Sequence, residues 1–276
     1  VETVCDVEAS GMFVAGATTE AEIRELFDKR LAAWGSDARG KVRPSVTLDA
    51  PAATPREGTL FFVDVPGAAQ SQIYVGHPGP KRQDDGYEAT AIMSHILGGS
   101  FSSRINMNIR EDKGYAYGAR ARFSYRRTGG TFAATSSVRS DATAASIGEM
   151  VKEIRTLRSG GVTEEEMERE REGMLLRLPA QFSTARRVRN TVSNLVFFGL
   201  PLDYYDGYQK RIEALQPSDL QRAAQTHLRD GGWVVLVVGD GAAVREPLRA
   251  LVDDGTLGGK SFVELDGDGN VIQTRA

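Results

Sequence analysis

Apolar residues recur along this chain with two different periods, and the switches between them mark out its elements. Residues 59–66, TLFFVDVP, form a nearly continuous apolar run, and 70–75 alternate polar and apolar, so both segments predict strands. Ala89, Ile92, Met93, Ile96 and Leu97 repeat at three and four, which predicts a helix capped by Asp84 or Asp85 and ended by Gly98-Gly99. Ser102 or Ser103 opens a second helix, stopped at Lys113-Gly114. Period two returns in residues 115–125 and 130–138 around the turn RRTGG, predicting a hairpin. Asp141 or Thr143 then starts an amphipathic helix through Leu157, and Thr163 with Glu166 makes a capping box for a helix running toward Leu178. Two or three further helices fill residues 183–227, with Pro201 and Pro217 at their boundaries.

Near the start, residues 11–36 read as a short apolar strand, a turn at Gly16 and a helix capped by Thr18 or Thr19. The same order of strand, turn and helix recurs in residues 233–252. Two copies of one unit suggest that each closes a similar domain, so residues 1–36 are expected to be the tail of a preceding domain. Residues 37–57, rich in Ala, Pro, Gly and charge, read as a linker, 58–252 as the main domain, and 253–276 as a strand or hairpin extension. In that extension LDGDGN superficially matches a calcium loop but lacks the distal Glu and reads as a hairpin turn. A hairpin demands antiparallel pairing. The expected fold is therefore α+β, two-layered, with a mainly antiparallel sheet and helices packed on one face.

Charge and composition narrow the function. The 276 residues carry a net charge of −3, which argues against a global pull toward nucleic acid or an anionic membrane. The one cysteine, Cys5, excludes an intrachain disulfide and a cysteine-based zinc site. No run of eighteen apolar residues occurs, and the reading leaves the periplasm and the cytoplasm both open as compartments.

The densest candidate chemistry lies in residues 96–118, ILGGSFSSRINMNIREDKGYAYG. A glycine-rich segment, Gly98, Gly99, Ser100, Ser102 and Ser103, precedes Arg110, and Tyr117 follows seven residues later. This places an arginine near a helix end and a tyrosine at the start of the next strand, with Gly114 permitting the turn between them.

At these residues the sequence resembles the pitrilysin and insulinase family of zinc metallopeptidases, which includes the mitochondrial processing peptidases. The matching positions are Leu97-Gly98-Gly99, Ser103-Arg104, Arg110-Glu111, Gly114 and Tyr117. Further matches are Gly161-Val162-Thr163 before Glu165-Glu166, Gly199-Leu200-Pro201, and Val237-Val238-Gly239-Asp240, so the resemblance spans about residues 58–240. The family holds zinc with an inverted H-x-x-E-H helix and a distant Glu. Here the only histidines are His77, His95 and His227, and Ala91-Ile92-Met93-Ser94-His95 stands where the motif would be.

The resemblance is therefore to the non-catalytic half of such proteases. It implies a pitrilysin-type fold, no metal in this chain, and zinc in a catalytic partner half bearing H-x-x-E-H, in the same longer polypeptide or in a separate subunit of a homo- or heterodimer. It also implies a peptide substrate, with Arg110 and Tyr117 reaching into the partner's zinc site and the glycine-rich segment acting as a flexible loop. No catalytic residue is expected in isolation, and no nucleic acid as partner.

Each residue also has a plainer reading. Arg110 fits a surface cation near a helix C-terminus, Tyr117 an ordinary strand aromatic, and Gly98-Gly99 a simple helix cap. His95 without a second ligand reads as a partly buried helical histidine, and ARRVR at 185–189 as a solvated helix face. A structural scaffold in a larger assembly, with no cleavage anywhere, is the alternative function.

Overall fold

The computed structural model describes residues 11–31, 57–259 and 261–272. They divide into two compact units, one within residues 1–49 and 176–205 and the other within 50–175 and 206–276. The expected linker over 37–57 lies outside the described residues save for Glu57.

The larger unit is built on a six-stranded sheet in the order β3-β4-β2-β5-β1-β6. Its strands are β1 (Thr59–Asp64), β2 (Gln70–Gly79), β3 (Ala116–Ser124), β4 (Gly130–Arg139), β5 (Val234–Gly239) and β6 (Ser261–Leu265). The predicted hairpin is β3 and β4, and β4, β2 and β5 continue the antiparallel run. Three pairings are antiparallel, while β1 pairs with both β5 and β6 in parallel. The apolar runs TLFFVD and VVLVVG lie side by side in the centre, as strands shielded by neighbours on both edges should.

Helices cover one face. Leu60, Phe62, Ile73, Val75, Phe132, Val235 and Val237 point toward them and are buried, while the alternating residues, Thr59 and Gly76 excepted, stay half-exposed or exposed. The helices of this unit are α2 (Tyr87–Ser94), α3 (Arg104–Asn106), α4 (Thr143–Gly160), α5 (Glu164–Arg177), α7 (Tyr208–Ala214), α8 (Pro217–His227) and α9 (Gly241–Asp253). On α4, Ile147, Met150, Val151, Ile154 and Leu157 form the buried stripe that its period requires, and α4 packs against α8 and α9. The Thr163–Glu166 capping box forms as expected, each residue's backbone N–H donating to the other's side chain at 3.0 and 3.2 Å.

Four local expectations are corrected. Gly86, not Asp84 or Asp85, occupies the cap position of α2, and Asp84 instead accepts a hydrogen bond from the Lys81 N–H at 2.8 Å. Beyond Ser94 the helix widens into a π-turn over His95–Gly99, and a second π-turn over Met107–Asp112 follows α3. Ser103 takes the cap position of α3, yet its side chain caps nothing. Residues 11–15 form no strand, so the unit repeated at 233–252 is matched at the start only by its helix.

That helix, α1 (Glu20–Leu31), belongs to the smaller unit, where Thr19 and Glu22 form a reciprocal capping box. The same unit contains α6 (Ala185–Phe198), capped by Thr184 and ended by Gly199 in the left-handed region; Arg186, Arg187 and Arg189 lie exposed on it. In the larger unit LDGDGN is a hairpin turn: Asp266 accepts from the backbone N–H groups of Asp268 and Asn270 and from the Asn270 amide.

Gly98 fixes how the first π-turn meets the sheet. A Cβ there would fall on the backbone and Cβ of Ala121 in β3, so only glycine permits the approach. Gly98→Ala is expected to destabilise the fold by about 3 kcal/mol or more. Gly148→Ala, inside α4 where a Cβ meets nothing, should stabilise it by about 0.5–1 kcal/mol. Urea denaturation of both variants checks this, and a neutral Gly98→Ala would refute the packing argument.

Candidate functional site

The segment from His95 to Tyr117 is held from beneath by side chains whose polar ends are buried. Asn106 is the central one. Its amide donates to the Phe101 carbonyl at 2.6 Å, and its oxygen accepts the Ala119 N–H at 3.0 Å. The second bond satisfies a backbone N–H of the end strand where the β3–β4 register slips between Ala116 and Ala119. Ser136 donates to the Gly118 carbonyl at 2.8 Å on the other side of this irregularity. Tyr117 is carried outward at the bulge and is 92% exposed.

Arg110 lies in the second π-turn, which closes with Lys113 N–H donating to Asn108 O at 3.0 Å and Tyr115 N–H to Ile109 O at 2.9 Å. Gly114, at φ +62°, makes the turn into β3. The Arg110 guanidinium sits over the Phe101 ring, 4.6 Å from its centroid, and pairs with Glu111 at 3.1 Å. It is about one-third exposed and keeps donors free for a ligand. The structure thus presents Arg110 and Tyr117 from one short segment, on either side of Gly114, with no hydrogen bond between them among the described residues.

The serine-rich stretch is more tied down than its composition suggests. Ser100 donates to the Glu170 carboxylate at 2.7 Å, Ser103 is buried, and Ser102 is exposed. Gly98 is buried and Gly99 exposed, with the His95 ring lying against Gly99. Glu170, on α5, is itself buried, with His95 Nδ1 at 3.7 Å, an ionic separation too long for a hydrogen bond. His95 beside it pulls the Glu170 carboxyl down to about 2; burial opposes this, and the Ser100 and Arg169 donors reinforce it.

Next to this pair, Arg104 makes a forked bond to Glu166 at 2.6 and 2.7 Å and donates to the Gly161 carbonyl at 2.9 Å. Burial pushes Glu166 up, but Arg104 and Thr163 outweigh it and hold the carboxyl below its ordinary value. Asn106, Arg104, Glu166 and Glu170 thus position the segment, and none was assigned this role from the sequence. Only Ser103-Arg104 and Glu165-Glu166 were in the motif pattern.

The other histidines serve the core. His77 stacks on Phe132 at 4.8 Å, and burial pushes it down to about 4 despite its contact with the Pro78 carbonyl at 2.7 Å. That contact to an acceptor requires the proton on Nδ1. Burial also lowers His227. Among the described residues no three His, Cys, Asp or Glu side chains come together as a metal site, and no helix is long and apolar enough to cross a membrane. A surface depression of about 560 Å³ lined by Met12, Val14, Ile23 and Phe27 belongs to the α1 segment and includes none of these site residues.

Comparison with known proteins yields a coherent result. The model of the family described as peptidase M16 inactive domain matches residues 11–174. A Helicobacter pylori protein named non-peptidase homolog YmxG is 22% identical over 159 residues, 57% of this chain and 37% of that protein. Among solved structures, a peptidase M16 inactive domain from Pseudomonas fluorescens superposes with a TM-score of 0.62 at 20% identity, covering 67% of this chain and 43% of the other. A protease from Helicobacter pylori superposes with a TM-score of 0.68 at 18% identity, covering 81% of this chain and 54% of that one. The chain therefore spans well under two-thirds of the length of these relatives.

The low carboxyl pKa of Glu170 links stability to pH. A folded value near 2, below the ordinary 4.5, stabilises the fold above pH 4.5, and this contribution is lost as pH falls through the window between them. The stability difference between the native chain and Glu170→Gln is therefore expected to shrink across that window. Urea midpoints measured along the pH range check this; a constant difference would show that Glu170 is not held as described.

Proposed function

Because the chain belongs to the peptidase M16 inactive-domain family, we propose that it is the non-catalytic, substrate-binding half of a two-part zinc endopeptidase. Its catalytic partner half would carry H-x-x-E-H, in the same longer polypeptide or in another subunit. The observation that carries this reading is the presentation of Tyr117: a large aromatic, 92% exposed, on a bulge braced by Asn106 and Ser136. A purely structural domain gains nothing from holding a phenol in water.

The residues of this chain suit binding and transition-state support. The Arg110 guanidinium, steadied by Phe101, offers forked donors to a peptide carbonyl or carboxylate. The Tyr117 hydroxyl is a donor for the oxyanion that develops at the scissile carbonyl. The three histidines do not converge and two are committed to the core, so the residues do not fit a zinc ion, which is assigned to the partner half. The glycine and serine segment 98–103 would border the bound peptide, anchored through Ser100 and Glu170.

The name of the Helicobacter pylori relative favours a second reading, a scaffold homologue without proteolysis. The two readings part on mutation of the pair. In the assembled enzyme, Arg110→Ala and Tyr117→Phe are each expected to lower kcat/KM by roughly 10²-fold while zinc content and assembly stay unchanged. Steady-state cleavage of a quenched fluorescent peptide reads the effect. Unchanged turnover in both variants would remove the pair from the mechanism.

A further inference from the structure

The start of the chain repeats the apolar plan of a strand and helix whose seat is visible in the larger unit. Counted back from Gly239, the buried positions of β5 are Val237 and Val235; counted back from Gly16, the same places hold Val14 and Met12. Counted forward from its cap Asp240, α9 buries Val244, Leu248 and Val252 at the fourth, eighth and twelfth positions. From the cap Thr19, the same places in α1 hold Ile23, Phe27 and Leu31, and Ile23-Arg24-Glu25 matches Val244-Arg245-Glu246.

Burial separates the two copies. All five of these residues in β5 and α9 are buried. At the start of the chain none is: Met12 and Val14 are each 50% exposed, α1 buries no residue, and residues 11–15 form no strand. Met12, Val14, Ile23 and Phe27 nonetheless converge on one depression. In the larger unit the same plan is buried because β5 lies between β1 and β2, and α9 packs on β1 and β6. Single exposed apolar residues are ordinary on any surface, but they do not reproduce a burial pattern position by position.

The seat in this chain is filled by β5 and α9, and its charges are wrong for a second copy. The Gly241 N–H donates to Asp64 at 2.8 Å, and Arg249 pairs with Glu264 at 3.2 Å. The corresponding positions of α1 are Glu20 and Asp28, which would face those two carboxylates. A sheet that receives α1 therefore belongs to a different domain, with neutral or basic groups in those places.

We propose that residues 11–31 supply the closing strand and helix of a second sheet domain of this architecture, one whose sheet is open at the place that β5 and α9 fill here. Residues 12–15 enter that sheet between a parallel and an antiparallel neighbour, and Ile23, Phe27 and Leu31 cover it from one face. The proposal rests on the two-part reading above and names the partner surface: the sheet of the H-x-x-E-H-bearing half.

Hydrogen–deuterium exchange on the full chain, alone and assembled with that half, tests this. In the chain alone, the amides of residues 12–15 are expected to exchange about 10²-fold or more faster than those of residues 235–237. In the assembly they should slow by about 10²-fold or more, with residues 235–237 unchanged. The double variant Ile23→Asp/Phe27→Asp should abolish the slowing and leave residues 235–237 as protected as before, since neither side chain is buried in this chain. Equal exchange of residues 12–15 in both states would overturn the proposal. So would amides that are already as slow as those of β5 in the chain alone, or that become so when the chain alone is concentrated, which would assign the seat to a second copy. Arg110→Ala should leave the exchange unchanged, so protection without cleavage would refute the catalytic reading and spare this one.

Discussion

The close approach of the first π-turn to β3 at Gly98 is the contact on which the candidate site depends. A glycine backbone against Ala121 lets the segment from His95 to Asp112 lie directly on the end strand. From there Asn106 can reach both Phe101 and the slipped register at Ala119 with a single amide. That bond sets the bulge, the bulge turns Tyr117 outward, and Phe101 supports Arg110. Each step uses a short-range interaction that a shift of about 1 Å would break.

Beneath this surface lies a layer of buried charge. Arg104 with Glu166, and Glu170 with His95 and Ser100, tie the serine-rich stretch to α5. Carboxylates taken out of water are costly unless paired, and both the buried Glu170 and the half-buried Glu166 are paired through groups of the 95–104 segment. The segment is therefore specified by polar contacts as well as by packing, while Arg110 and Tyr117 keep donor capacity toward solvent.

The parts of this arrangement legible in the sequence were those written in periodicity. Alternation found β2 and the β3–β4 hairpin, the three-and-four spacing found α2 and α4, and Thr163 with Glu166 announced the start of α5. The π-turns were not legible, since an extra residue in a helical turn leaves the apolar spacing almost unchanged. Gly86 displaced the expected aspartate cap because a left-handed residue at the boundary is set by the chain's path, not by cap preference. The parallel pairing of β1 with β5 joins residues far apart in sequence, which no local pattern encodes. Asn106 and Glu170 were overlooked for the same reason: their partners lie 13 and 70 residues away. Arg110 and Tyr117 came into view only through the motif string around them.

The account holds that this chain binds and supports a substrate while its partner half supplies zinc. The most direct test is to measure zinc content and peptidase activity of the chain alone, and again with an H-x-x-E-H-bearing partner or the longer polypeptide. The account predicts neither zinc nor cleavage alone, and cleavage dependent on Arg110 once the partner is present. Stoichiometric zinc with activity in the isolated chain, or silence in both states, would contradict it.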